Sequence, residues 1–182
     1  MSNNFETPKM PEVRFNKTGT VLGLSGYYSP GVWAFPWNNT TGFGTIYSDP
    51  APQLTNALSN DVNFSPSNDV IAVNVAGSPQ IICYRWNDST GFGTRYSNPS
   101  VIPPNTGQTV VFSPSGDAIV VGTGSGVIAY PWNYSTGFGT NYTSPTLIAS
   151  GIDCREVAFH PSGKAIAVLT GFTAPYFAVY AC

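Results

Sequence analysis

The chain has 182 residues, 42% of them hydrophobic and 14% aromatic, which is enough to bury one substantial core. Charged residues make up only 9%, and seven Lys and Arg against nine Asp and Glu leave a net charge of −2, so there is no basic footprint for nucleic acid or an anionic membrane. The opening stretch MSNNFETPKMPEV lacks a basic start followed by an apolar run, and no segment reaches the length of a membrane span, so the expectation is a protein made soluble, without a signal peptide and without membrane insertion.

After residues 4–10, a unit of 47 to 49 residues recurs. Phe15, Phe64, Phe112 and Phe159 fall in register, Trp37, Trp86 and Trp132 follow at one offset, and GFGT begins at Gly42, Gly91 and Gly137. A period of this size without helical periodicity marks stacked four-stranded blades. The predicted fold is all-β: a four-bladed β-propeller of four-stranded antiparallel blades. It forms a single domain over 1–182, with repeats at approximately 11–50, 51–99, 100–145 and 146–182.

Within each unit the first predicted strand is short, 62–65 in the second copy. It ends in a tight turn: Ser65-Pro66-Ser67-Asn68, Ser113-Pro114-Ser115-Gly116, His160-Pro161-Ser162-Gly163 and, in the first copy, Asn16-Lys17-Thr18-Gly19. Pro presets φ at the first central position and Gly or Asn accepts a left-handed one. The second strand is an apolar run at 21–24, 70–75, 118–121 and 165–169. The third strand alternates with period two. One face carries Trp33, Phe35, Trp37; Ile82, Tyr84, Trp86; and Ile128, Tyr130, Trp132, and the other carries Ala34, Pro36; Cys83, Arg85; and Ala129, Pro131. Large on one face and small on the other is what stacking blades requires, so the aromatics are read first as packing.

A loop follows in which Asn38, Asn87 and Asn133 bond their own turn and glycines aim Phe43, Phe92 and Phe138 inward. The fourth strand is expected to run to Pro50, Pro99 and Pro145. The fourth copy ends after its third strand, and Phe5-Glu6-Thr7-Pro8 reads like Tyr96-Ser97-Asn98-Pro99. Residues 4–10, with Phe5, Thr7 and Pro8, are therefore expected to complete the last blade and close the ring, or to complete a neighbouring copy.

The FSPSG and FHPSG turns followed by YPWN-type third strands resemble the WD-repeat β-propeller family, with Trp-Asn where that family has Trp-Asp. The GFGTxYSxP pattern is similar to propeller-like repeats of tailed bacteriophages of aquatic bacteria. The resemblance implies a non-enzymatic binding or structural protein, a phage virion component such as a tail adhesin or capsid decoration. Located in the virion, it would contact other virion proteins, copies of itself or a host cell-surface glycan. The alternative is a lectin whose inter-blade sites present Trp37, Trp86 and Trp132 with Asn38, Asn87 and Asn133 to sugars, which requires those rings to be exposed.

No catalytic residue, metal site or cofactor site is expected. His160 is read as a turn residue, Asp69 and Asp117 occupy matching turn positions, and Asp49, Asp61, Asp88, Asp153 and Glu156 are read as scattered over loops. Cys83 is expected to fill a small buried slot, while a Cys154–Cys182 bridge stays open. A variant lacking residues 1–10 is expected to melt at a sharply lower temperature, and an unchanged Tm removes the closing strand from this account.

Overall fold

A computed structural model describes residues 11–54, 58–143, 153–171 and 176–182. Blade 1 contains β1 (Val13–Phe15), β2 (Val21–Ser25), β3 (Val32–Asn38) and β4 (Gly42–Phe43). Blade 2 contains β5 (Ser59–Phe64), β6 (Val70–Val75), β7 (Ile81–Asn87) and β8 (Gly91–Arg95). Blade 3 contains β9 (Gly107–Phe112), β10 (Ala118–Thr123), β11 (Gly126–Asn133) and β12 (Gly137–Phe138), and blade 4 contains β13 (Cys154–Phe159), β14 (Ala165–Thr170) and β15 (Phe177–Ala181). Strands pair antiparallel in chain order within each sheet. The fold is an all-β, four-bladed propeller, its last blade three-stranded among the described residues.

The turns form as their chemistry dictates. Asn68, Gly116, Gly19 and Gly163 all take positive φ at the predicted position. In blade 3, Ser113 and Ser115 donate to Asp117 at 2.8 and 2.5 Å, and these bonds hold the carboxyl below its usual range. His160 sits exposed in its turn, its Nδ1 2.7 Å from Ser162 Oγ.

The alternation of large and small faces assembles the blades. Phe64, Ile71, Val73, Ile82, Tyr84 and Trp86 of blade 2 pack on Val21, Val32 and Ala34 of blade 1. The opposite face of blade 2, with Val70, Ala72, Ile81 and Cys83, receives Phe112, Ile119, Tyr130 and Trp132 of blade 3. Blade 3 in turn offers Val120, Val127 and Ala129 to Val157, Ile166, Val168 and Tyr180 of blade 4. Each large face thus packs on the small face of the preceding blade. Cys83 fills the slot that Ala34 occupies one blade earlier, and none of the three cysteines forms a disulfide, with Cys154 buried and Cys182 exposed.

Three expectations change. The innermost strand of blade 2 begins at Ser59, not 62, because a bulge between Ser59 and Asp61 lets pairing continue beyond the apolar run. The outer strands stop well short of the prolines. Pro36 and Pro131 have no amide to donate outward, and β4 and β12 span 2 residues; Arg85 stands at that place in blade 2, where β8 spans 5. Phe92 and Phe138 pack inward, but Phe43 is 61% exposed because no blade covers its face. No closure of the ring is seen among the described residues, where the large face of blade 1 and the small face of blade 4 stay uncovered. Residues 4–10, the expected closing strand, lie outside the described residues.

Trp86 carries the blade 1–blade 2 contact, meeting Tyr47, Phe64 and Phe92 edge to face at ring separations of 5.1, 5.4 and 5.1 Å. Trp86→Ala is expected to lower unfolding free energy by about 3–5 kcal/mol in urea titration, as large-to-small changes at packed aromatic sites do; a loss under about 1 kcal/mol would contradict this packing.

Candidate functional site

The edge strands β1, β5, β9 and β13 bring the four blades together at the axis. Three residues before the repeated Phe, each copy places Glu12, Asp61, Thr109 or Glu156. Register shifts at Ser59/Asp61 and Cys154/Glu156 interrupt regular pairing beside two of these positions, and another at Gly122/Thr123 lies opposite the third. Bulges of this kind re-aim side chains that regular pairing would leave on a blade face.

Arg14, from β1, reaches across to this set. Its Nη2 lies 3.4 Å from Glu156 Oε1 and 3.9 Å from Glu12 Oε2, and its Nε lies 3.6 Å from Asp61 Oδ1. Burial works against the guanidinium charge, but Asp61, Glu12 and Glu156 outweigh it and raise the group above its ordinary value, so Arg14 remains a cation. Its Nε is buried and lacks a hydrogen-bond partner.

Asp61 is fully buried and held from several sides. Oδ2 accepts from Thr109 Oγ1 and from the Val110 amide, both at 2.9 Å, and Oδ1 accepts from the Val62 amide at 2.8 Å. Thr109 Oγ1 also lies 3.4 Å from Glu156 Oε1, which links blades 2, 3 and 4. Glu12, Arg14 and Glu156 keep roughly a third of their side-chain surface open to solvent. The arrangement is a fixed carboxylate, a cation it orients, and two further carboxylates within reach of water. Among the described residues no cluster has the makings of a metal site.

At the other end of the same strands, about 10 Å away at ~3.3 Å per residue, Phe15, Phe64, Phe112 and Phe159 line a pocket of about 430 Å³ with Lys17 at its wall. Phe64, Phe112 and Phe159 therefore reach the axis as well as filling blade contacts.

The residues singled out for sugar binding lie elsewhere. Trp86 and Trp132 are buried between blades, and Trp37 is partly buried on the open face of blade 1 against Phe15 and Phe43. Asn38, Asn87 and Asn133 are exposed, and each side-chain oxygen accepts from the amide two residues on, at 2.8 Å. Phe5, Thr7 and Pro8 lie outside the described residues. Reading Asp61 and Glu156 as loop residues also fails: both sit in innermost strands and converge on Arg14. The signal that locates them is their common offset from the repeated Phe, which a search for identical residues passes over because the four copies carry Glu, Asp, Thr and Glu.

No family model matches the chain. No curated protein matches it. Solved structures do. A candidate 6-phosphogluconolactonase of Bacteroides uniformis superposes with a TM-score of 0.67 at 18% identity, covering 93% of this chain and 52% of its own. A second, from Bacteroides fragilis, gives 0.65 at 16% identity with the same coverage. A protein of Lactobacillus plantarum gives 0.62 at 15% identity, over 87% of this chain and 49% of its own.

The likeness is one of fold. The chain spans about half the length of these structures. The expectation of a non-enzymatic phage virion component, tail adhesin or capsid decoration is overturned, because the two neighbours with the highest of these TM-scores are described as candidate 6-phosphogluconolactonases and neither is a virion protein. The lectin alternative falls with it, since Trp86 and Trp132 are packing residues.

Removing the buried anchor tests the site. Asp61→Ala strands the Val62 and Val110 amides and one side of Arg14, and is expected to destabilise the fold by about 3–5 kcal/mol in chemical denaturation. A loss within about 0.5 kcal/mol, the range of surface changes, would show that the cluster does not hold the blades.

Proposed function

We propose that the chain is a hydrolase of small polyhydroxylated acid lactones acting at the propeller axis. The observation that carries this reading is the convergence on Arg14 of carboxylates from other strands, with a buried Nε lacking a hydrogen-bond partner and with Glu156 open to water. The description of two of the structural neighbours as candidate 6-phosphogluconolactonases supports the same chemistry.

Lactone hydrolysis needs a base for water and a donor for the oxygen that gains charge. Glu156 takes a proton from water as the water oxygen bonds to the ring carbonyl carbon. Arg14 donates to the developing oxyanion, a role suited to a fixed cation in a partly desolvated site. When the tetrahedral centre collapses, the ring C–O bond breaks, the alkoxide recovers the proton from Glu156, and the product is an open hydroxy acid. Asp61 orients the guanidinium and touches no substrate. Three carboxylates around one guanidinium make the site net negative, which favours an uncharged lactone over a phosphorylated one.

The test is titration of acid release from glucono-δ-lactone and from its 6-phosphate, corrected for spontaneous hydrolysis. The uncharged lactone is expected to react faster, and Glu156→Gln is expected to lower kcat/KM by about 100-fold with an unchanged melting temperature. Acid release no faster than the spontaneous rate across both substrates would overturn the assignment.

A further inference from the structure

The pocket at the far end of the innermost strands takes no part in the chemistry around Arg14. It exists because each innermost strand ends on a phenylalanine, so that Phe15, Phe64, Phe112 and Phe159 come from four blades to one place. The tight turns that follow these rings, at 16–19, 65–68, 113–116 and 160–163, all lie within the described residues. Phe64 and Phe112 are anchored between blades at 7% exposure each, so blade packing sets this part of the wall before any ligand arrives.

The polar groups of the lining are of two kinds. Ser65 Oγ donates to Asp69 Oδ1 at 2.7 Å and accepts from the Val70 amide at 3.0 Å, and Ser113 Oγ donates to Asp117 Oδ1 at 2.8 Å and accepts from the Ala118 amide at 3.0 Å. Both hydroxyls are thereby engaged in their own turns. Lys17 and Asn63 differ: among the described residues neither the Lys17 ammonium nor the Asn63 side-chain amide has a hydrogen-bond or ion-pair partner. Among those residues no carboxylate lines the pocket. The lining thus offers aromatic rings, one cation and one amide donor. A sugar would leave most of its hydroxyls unpaired here, and a metal ion would find no anionic ligand. Two unengaged donors suit the two oxygens of one carboxylate, and phenylalanine rings suit an aromatic body packed edge to face.

We propose that this pocket binds an aromatic carboxylate, its ring seated among Phe64, Phe112 and Phe159 and its carboxylate on Lys17 and Asn63. The volume of about 430 Å³ lies toward the low end of the roughly 300–1,000 Å³ of small-molecule sites, which suits one or two fused rings. Charge along the axis favours the same end, because the three carboxylates around Arg14 repel an anion and the ammonium of Lys17 attracts it. The site stands whether or not the Arg14 end hydrolyses lactones.

The experiment is calorimetric titration of the full chain with 2-naphthoate and with uncharged 2-naphthylmethanol, together with NMR of the valine methyl groups. 2-Naphthoate is expected to bind one to one, about 10-fold tighter than the alcohol, and to shift the methyls of Val111, which lines the pocket. Lys17 is exposed, so its variants are expected to keep the wild-type melting temperature. Lys17→Gln is expected to weaken 2-naphthoate about 10-fold and Lys17→Glu about 100-fold, with the alcohol unchanged in both. Asn63→Leu keeps the size of the side chain, removes its donor and is expected to weaken 2-naphthoate about 5-fold. No saturable binding of 2-naphthoate, equal affinity for the alcohol, or binding unchanged by Lys17→Glu would each overturn the proposal. So would methyl shifts confined to valines away from the pocket.

Discussion

Everything in this molecule depends on one contact made three times: an aromatic-rich blade face laid on the small-residue face of the blade before it. A twisted sheet of three or four short strands cannot bury its own faces, so no blade is stable alone and stacking supplies the core. The wedge between neighbouring blades widens away from the axis and is filled by the largest side chains, with Trp86 and Trp132 edge-on to Phe92 and Phe138. Tyrosines tie the same contacts at their polar ends. Tyr47 donates to Asp88 O and Tyr96 to Tyr134 O, across adjacent blades, while Tyr84 and Tyr130 donate to Pro52 O and Val101 O. Burial pushes the Tyr84 phenol up to about 12, which keeps it a neutral donor.

The axis follows from that stacking. Once the blade contacts align the innermost strands, equivalent positions of the four copies come together whatever residues they carry. The blade contacts demand similar residues in each copy, but the axis does not: Arg14 corresponds to Asn63, Val111 and Ala158, and Thr109 stands among acids. Repetition builds the scaffold, and departure from repetition builds the chemistry. A fold of this kind hosts many activities, so the lactonase proposal stands on the Arg14 cluster and not on the fold.

The same logic governs the ends. Because every blade carries one large and one small face, any unclosed series exposes one of each, and the two match.

Much of the fold was legible in the sequence. The 47 to 49 residue period, the Ser-Pro-Ser-Gly turns and the alternation at 82–86 and 128–132 dictate blades, hairpins and faces, because turn chemistry and strand periodicity act locally. The outer strands were overextended although Pro36 and Pro131 are visible, since an amide matters only when the side it faces is known. The axial cluster was not legible. Glu12, Arg14, Asp61 and Glu156 are separated by up to 144 residues, and bulges and blade stacking bring them to one place. Composition and periodicity determined what each blade is made of. Only the tertiary structure decided which residues meet at the axis and which faces stay open, because both depend on how the blades are rotated against one another, and no local preference encodes that.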